Sequence, residues 1–198
     1  IVSKNGGKCD AVESNSAKLT VKTTAVPTLT KSEYKECATS GNVQLSTLFS
    51  GTGLKFYSDA ALTNEVTTFS ASQVVTGKKY YATQTVNGCT SKAAEVSVTV
   101  LELPKLSLAT TDKTAICGTE SDSKATLTYK FEGGKAPYTL SVVGTEQSGT
   151  SETITPSNLS ATGTYTLQPT AKTTYKFTQV KDANGCTAQT RFTINEPT

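Results

Sequence analysis

The chain of 198 residues contains no histidine, no methionine and no tryptophan. Without histidine it lacks the side chain that most often acts as an acid or base near neutral pH, and it lacks an imidazole metal ligand. Charged residues make up only 18 % of the chain, and the net charge of +3 is scattered without a basic run. These absences predict a protein that is not an enzyme, with no catalytic residues, no metal, no cofactor and no nucleic-acid partner.

Long apolar runs are also lacking. No stretch approaches the roughly 18 apolar residues that a membrane-spanning helix needs, so we expect no membrane span. Neither an initiator methionine nor a signal peptide is visible. We therefore expect a processed chain or a fragment of a longer protein.

What the chain has in abundance is small hydroxylated residues, with 38 threonines and 20 serines. Threonine is β-branched and fits the half-solvated face of a pleated sheet better than it fits a helix. Alternation of apolar and polar residues marks many segments as short, half-buried strands, as in Val96-Ser97-Val98-Thr99-Val100. The composition therefore predicts an all-β fold.

Five cysteines are spread along the chain, at positions 9, 37, 89, 117 and 186. None forms a C-x-x-C pair, which argues against a zinc site and against a thioredoxin-like site. Widely spaced cysteines in a threonine-rich β chain indicate disulfides and an oxidising compartment. The sequence thus predicts a secreted protein.

One pattern of strand, Asn-Gly turn, cysteine and strand occurs three times, in residues 1–21, 83–100 and 178–194. The turn residues are Asn87 and Gly88 in the second copy, and Asp182, Asn184 and Gly185 in the third. Asn-Gly suits a tight hairpin, because both residues tolerate a positive φ. The hairpin cysteines Cys9, Cys89 and Cys186 are separated by 80 and 97 residues, which is the length of a whole β-sandwich domain.

Each complete repeat also has a cysteine near its start. We therefore predict the disulfides Cys37–Cys89 and Cys117–Cys186, which close loops of 52 and 69 residues and stabilise by roughly 4 kcal/mol each in the chain-entropy model. Cys9 is then unpaired within residues 1–198, and we expect its partner to lie upstream. A free thiol or an intermolecular bridge at Cys9 is the alternative.

The resulting prediction is a series of tandem Ig-like antiparallel β-sandwiches with Greek-key topology and about seven strands each. Residues 1–25 form the last hairpin of a preceding module, 26–102 form one module and 103–198 form another. Prolines at both joints, Pro27 and Pro104, end the preceding strand and stiffen the connection. The expected core residues are Val43, Leu45, Phe56, Tyr81, Val96 and Val98 in the first module, and Leu127, Tyr129, Tyr138, Leu140, Tyr165, Tyr175, Phe177 and Phe192 in the second.

Two segments of the second module resemble a known family. FEGGKAPYTLSVV (131–143) and TYKFTQVKDANGCTAQTRFTI (174–194) are similar to the SprB-type repeat of gliding-motility adhesins in Bacteroidetes, which joins a Gly-Gly-x-x-Pro-Tyr segment to an Asp-x-Asn-Gly-Cys hairpin. LKFYSDAALTNEV (54–66) and GKKYYATQTVNGCTSKAAEVSVTV (77–100) resemble Ig-like modules of the same surface proteins. The stretch between these segments, residues 144–163, is longer than expected for that repeat, and a Trp often found after its Pro-Tyr is missing.

The resemblance implies export by type IX secretion, anchoring at the outer cell surface, and a role in adhesion or gliding. The expected partners are neighbouring modules of the same chain, with surface glycans or the secretion and gliding machinery as further candidates. We predict a disulfide-stabilised stalk module of a large cell-surface adhesin. The alternatives are a glycan- or matrix-binding module, and a non-catalytic accessory domain of a secreted polysaccharide-degrading enzyme.

The sequence gives little support for a specific metal or catalytic site. Asp182, Asn184 and Gly185 offer too few oxygens for a calcium site, and a hairpin turn explains them better. The acidic residues, such as Glu33, Glu36, Asp59 and Glu65, are scattered rather than arranged as a glycosidase pair, which favours a solvated surface. No ligand-binding residue is predicted.

Overall fold

The computed structural model describes residues 22–113, 124–190 and 192–195, and these residues form an all-β protein. No α-helix occurs among them, and one 3-10 turn covers Leu45–Thr47. The prediction of an all-β fold is therefore confirmed. The high content of β-branched threonine and valine explains why strands prevail over helices.

The strands fall into two groups, which we call the N-terminal unit (residues 28–101) and the C-terminal unit (the described residues from 105 to 195). The N-terminal unit contains β1 (Thr28–Leu29), β2 (Glu33–Cys37), β3 (Asn42–Gln44), β4 (Phe49–Ser50), β5 (Leu54–Tyr57), β6 (Thr68–Ser70), β7 (Val75–Val86), β8 (Cys89–Thr90) and β9 (Ala94–Leu101). The C-terminal unit contains β10 (Lys105–Thr111), β11 (Ala125–Glu132), β12 (Thr139–Glu146), β13 (Ser151–Ile154), β14 (Thr162–Leu167), β15 (Thr173–Lys181), β16 (Thr187–Gln189) and β17 (Thr193–Asn195).

Among the described strands, pairing occurs only within a unit. The N-terminal unit has a sheet of order β2-β9-β7-β5, with β8 beside β7, and two small pairs, β1-β4 and β3-β6. The C-terminal unit has one sheet of order β10-β11-β14 and another of order β13-β12-β15-β16, with β17 also on β15. All pairs are antiparallel except β2 with β9, which is parallel and places Cys37 opposite Leu101.

Each unit has its own cluster of buried apolar side chains. Alternate residues of a strand point to the same face, so Val96, Val98 and Val100 of β9 all enter the first cluster, and Leu140 and Val142 of β12 enter the second. Most of the expected core residues lie in these clusters. Val43, Tyr165 and Phe192 are half-buried and pack against them.

The prediction that Tyr81 of β7 is a core residue is wrong. Tyr80, not Tyr81, is buried, with 5 % of its surface exposed. Tyr80 and Ala82 share the inner face of β7, and the register between β7 and β9 shifts between Val75 and Lys78. Such an irregularity changes which alternate residues face inward, and the sequence pattern of adjacent tyrosines does not reveal it.

The two leucines Leu140 and Leu108 test where the core of the C-terminal unit lies. Leu140 is fully buried, whereas 40 % of Leu108 is exposed. We expect Leu140→Ala to lower the free energy of unfolding by about 3 kcal/mol, because it removes buried methyl groups and leaves a cavity. Leu108→Ala, in the same unit, should change it by less than about 0.5 kcal/mol.

Urea denaturation followed by tyrosine fluorescence measures both changes. Equal effects of the two substitutions would contradict the assignment of the core.

Candidate functional site: the disulfide-bonded junction

A disulfide joins the two units. Cys37, the last residue of β2, is bonded to Cys186, which directly precedes β16, and the two Cα atoms lie 5.6 Å apart. The bonded residues are separated by 149 positions in sequence. In the chain-entropy model a disulfide that closes a loop of this size stabilises the folded state by on the order of 5 kcal/mol. The bond is of a kind that persists in oxidising compartments.

Both predicted disulfides are wrong in this structure, because Cys37 and Cys186 are bonded to each other and Cys89 is a half-buried free thiol. The reason is the direction of β9. Cys37 lies beside Leu101 at one end of β9, and Cys89 lies beyond Ala94 at the other end. Eight strand residues span roughly 23 Å, and a disulfide needs Cα atoms within about 7 Å. Cys9 and Cys117 lie outside the described residues.

The cysteine at the junction is held by a hydrogen-bonded loop of residues 182–186. The carboxylate of Asp182 accepts hydrogen bonds from the backbone N–H of Cys186 (2.8 Å), from the N–H of Lys135 (2.9 Å) and from the side-chain amide of Asn184 (3.3 Å). The Asp182 N–H in turn donates to the Cys186 carbonyl. Only 4 % of Asp182 is exposed, so this buried carboxylate is satisfied by three donors.

The loop differs from the tight hairpin predicted for Asn184 and Gly185. Three residues separate Asp182 from Cys186, and of these only Gly185 has a positive φ, at 86°. The Gly185 N–H donates to the Asp182 carbonyl at 3.0 Å, which makes a turn followed by a left-handed glycine. The Asp182 side chain therefore replaces a second positive-φ residue as the device that closes the loop.

The chain that connects the units packs closely on this loop. Pro104 is fully buried, and a Cβ on Gly134 would lie 3.1 Å from the Cβ of Pro104 and 2.9 Å from Oδ2 of Asp182. Gly134 also has a φ of 62°, so no larger residue fits there without strain. The Gly-Gly pair of the sequence thus lets segment 133–135 touch both the connection and the loop.

Tyr138 completes the junction. Its hydroxyl donates to the Gly133 carbonyl at 2.7 Å. Burial raises the pKa of Tyr138 above its ordinary value, and the carboxylates of Asp182 and Glu102 raise it further. The hydroxyl therefore remains protonated and able to donate over the whole neutral range.

The Asn87-Gly88 turn lies at the other end of the N-terminal unit. Both residues have positive φ, 50° and 77°, and Val86 pairs with Cys89 across them. The predicted tight hairpin is therefore present here. The segment that enters the unit runs beside it, since Thr24 Oγ1 donates to the Cys89 carbonyl at 2.9 Å and Gln84 Nε2 donates to the Ala25 carbonyl at 2.6 Å.

A second feature, which the sequence analysis did not predict, is a cleft of about 290 Å³ in the C-terminal unit. We call it the edge cleft; among the residues that line it are Glu146, Thr150, Glu152, Tyr165, Gln168 and Tyr175. It lies beside β13 and β14, and each of these is an edge strand of its sheet.

Two carboxylates of the edge cleft stand on the same face of paired strands, with Glu146 half-buried and Glu152 exposed. Glu146 continues the inner face of β12 that begins with Leu140 and Val142. Glu152 pairs with Gly144 and therefore shares that face. No lysine or arginine is among the described residues that line the cleft. Sequence alternation in β12 contains this signal, because a charge stands where an apolar residue is expected.

Metal-binding clusters and membrane-spanning helices are absent from the described ranges. No group of three histidine, cysteine, aspartate or glutamate side chains there is placed to hold a metal ion. No helix in the same part of the chain is long and apolar enough to cross a membrane.

No known family model matches the sequence, and no characterised protein is significantly similar to it.

The Asp182 carboxylate provides a test of the junction. We expect Asp182→Asn to lower the free energy of unfolding of the C-terminal unit by about 2 kcal/mol, because the amide NH₂ faces a backbone donor and leaves it unpaired. Asp59→Asn is the matched control. Asp59 accepts from Asn64 and Thr63 N–H groups, but at the surface, where water replaces a lost bond.

Thermal unfolding of both variants, with the Cys37–Cys186 bond verified, gives the comparison. A loss at Asp182 no larger than that at Asp59 would contradict the role given to the buried carboxylate.

Proposed function

We propose that this chain consists of Ig-like β-sandwich modules that form a disulfide-locked stalk in a non-enzymatic adhesin on the outer cell surface. The observation that carries the proposal is the bond between Cys37 and Cys186, which crosses from one core cluster to the other. In the C-terminal unit, both sheets contribute side chains to one cluster, which supports the sandwich architecture.

The position of the bond suits a protein that bears tension. Force applied to the two ends of the chain passes from Cys37 through the sulfur atoms to Cys186. Residues 38–185, which include most of both cores, then lie inside a closed loop and cannot be pulled into an extended chain. Hydrogen bonds and buried area alone give no such protection, because these non-covalent contacts are lost when a unit unfolds under load.

The junction also limits hinge motion. Besides the disulfide, the units are connected through the buried Pro104, and Gly133 and Gly134 pack against residues 102–104. A stalk must hold its distal end away from the cell, and a short connection fixed at two points supports this role better than a flexible linker does. The resemblance to gliding adhesins is consistent with this role and with type IX secretion.

Single-molecule stretching tests the lock. With the bond intact, pulling on the chain ends should never release residues 38–185. In Cys37→Ser the same segment should become extensible, which adds roughly 500 Å of contour length for a separation of 149 residues. Cys89→Ser removes a cysteine that is free in this structure and should stretch like the parent protein.

Equal extension of Cys37→Ser and the parent would contradict the lock.

The adhesive role is tested on whole cells. Bacteria that display Cys37→Ser at normal surface density should detach under lower shear than the parent strain. Unchanged detachment would contradict the stalk function.

The edge cleft favours a second candidate function, which is glycan binding by the C-terminal unit. Carboxylates hydrogen-bond sugar hydroxyls strongly, since the acceptor is charged. Hydroxyl and amide groups of Thr150 and Gln168 and the rings of Tyr165 and Tyr175 line the same cleft, and aromatic rings together with a few convergent polar groups are typical of ligand sites.

A glycan array probed with the chain identifies the ligand class. For the strongest glycan we expect the double variant Glu146→Gln/Glu152→Gln to bind at least about 10-fold more weakly, because two charge-assisted hydrogen bonds become neutral. The control is Glu33→Gln/Glu36→Gln, which removes the same charge from exposed positions of the N-terminal unit.

Isothermal titration calorimetry measures both affinities. Binding that is not above background, or equal loss in the control, would contradict this candidate.

A further inference from the structure

We infer that Cys89 is the attachment point for a further module, whose cysteine bonds to it as Cys37 bonds to Cys186. The proposed partner is a unit of the same architecture that ends a β2-like strand in a cysteine. The interface would lie at the end of the N-terminal unit formed by residues 22–26 and the β7–β8 hairpin. The inference rests on the proposed stalk function in one respect, which is that the partner is another module of the same architecture.

The first observation is the equivalence of Cys89 and Cys186. Each follows the turn that ends the longest strand of its unit, β7 or β15. Cys89 is the first residue of β8 and Cys186 directly precedes β16, and both short strands pair back to the long strand. The next strand, β9 or β17, also pairs with that long strand. Cys186 is bonded to a cysteine of the preceding unit, so the same position is already a point of attachment once in this chain.

The second observation is that the chain enters both units in the same way. A buried proline, Pro27 or Pro104, precedes the first strand of each unit. In the N-terminal unit the entering segment lies on the hairpin through the bonds from Thr24 to Cys89 and from Gln84 to Ala25. In the C-terminal unit Gly134 touches both Pro104 and Asp182. The cysteine and the incoming chain are therefore neighbours in both units.

The surface around Cys89 fits a protein partner. A groove of about 230 Å³ is lined by Lys22, Ala25, Val86 and Cys89 among others. Val86 is 39 % exposed. Val26, which follows Ala25 in sequence, is 47 % exposed. Exposed apolar side chains around a half-buried thiol match the start of an interface that continues the series of units.

The bond would form by thiol–disulfide exchange. The Cys89 thiolate attacks a small-molecule disulfide such as glutathione disulfide and releases one thiol. The partner cysteine then attacks the mixed disulfide and releases a second thiol. Two protein thiols lose two hydrogens in all, and one molecule of the small disulfide is reduced to two thiols.

A tandem protein tests the inference. It joins residues 1–101 to residues 22–198, so that Leu101 precedes Lys22; Leu101 follows Cys89 by 12 positions, as Val21 follows Cys9. Cys9 and Cys117 are replaced by serine in every copy. After refolding with glutathione disulfide, Cys37 of the first copy should be bonded to Cys89 of the second. Thiol titration in denaturant should then find one free thiol, Cys89 of the first copy.

Two variants give the matched comparison. Cys37→Ser in the first copy should raise the count to two free thiols, because Cys89 of the second copy loses its partner. Cys89→Ser in the first copy should lower it to none. Non-reducing peptide mapping identifies the bonds, and the bond between the second copy's Cys37 and Cys186 reports folding. Three free thiols in the parent tandem, with that bond present, would overturn the inference and leave the stalk function standing.

Should the tandem fail to form the Cys37–Cys186 bond, protein isolated from its own cells decides the matter. After alkylation of free thiols, Cys89 should be found in a disulfide with a cysteine outside residues 1–198. Alkylated Cys89, or a bond from Cys89 to Cys9 or Cys117, would overturn the inference.

Discussion

The covalent bond between Cys37 and Cys186 is the constraint on which the arrangement of the two units depends. Each unit has its own buried cluster and its own sheets, so backbone pairing does not fix one unit against the other. The sulfur bridge and the short connection around Pro104 do so together. Two attachment points at one end of each unit restrict rotation as well as separation, and a single connection restricts only separation.

The bond depends on local structure that presents both cysteines at the same place. The parallel pairing of β2 with β9 brings Cys37 to the end of β9, where the connection leaves the N-terminal unit. On the other side, Asp182 fixes the loop that carries Cys186, and Gly134 allows the loop to approach Pro104. A buried carboxylate with three donors is rigid because every alternative geometry leaves a charge or an N–H group without a partner.

Strands with clean alternation were predictable from the sequence. β9, β11, β12 and β15 lie close to where period-two patterns place them, since one buried face leaves a clear signal. β2 carries no such pattern, because Glu33, Lys35 and Glu36 make it polar. It is an edge strand, and pairing with β9 decides its structure. Leu45 is buried as expected, but it lies in a 3-10 turn, which the alternation of apolar and polar residues does not reveal.

The cysteine partners were not predictable in the same way. Spacing within a repeat favours bonds inside a module, but spacing carries no information on which end of β9 each cysteine occupies. That depends on the long-range β2–β9 pairing. The edge cleft shows the converse case, because the shared face of Glu146 and Glu152 follows from alternation once β12 and β13 are paired. The turn of residues 182–186 lies between these cases: its location was predictable and its three-residue form was not.

The closed loop between Cys37 and Cys186 has a consequence for proteolysis. A protease that cuts an ordinary two-domain chain in its connection releases one domain. Here a single cut anywhere in residues 38–185, including exposed positions such as Leu103 between the units, opens the ring but leaves both ends of the chain covalently joined. A second cut in the ring frees only the piece between the two cuts. The N-terminal and C-terminal ends of the chain therefore stay connected through damage that would sever a linear chain.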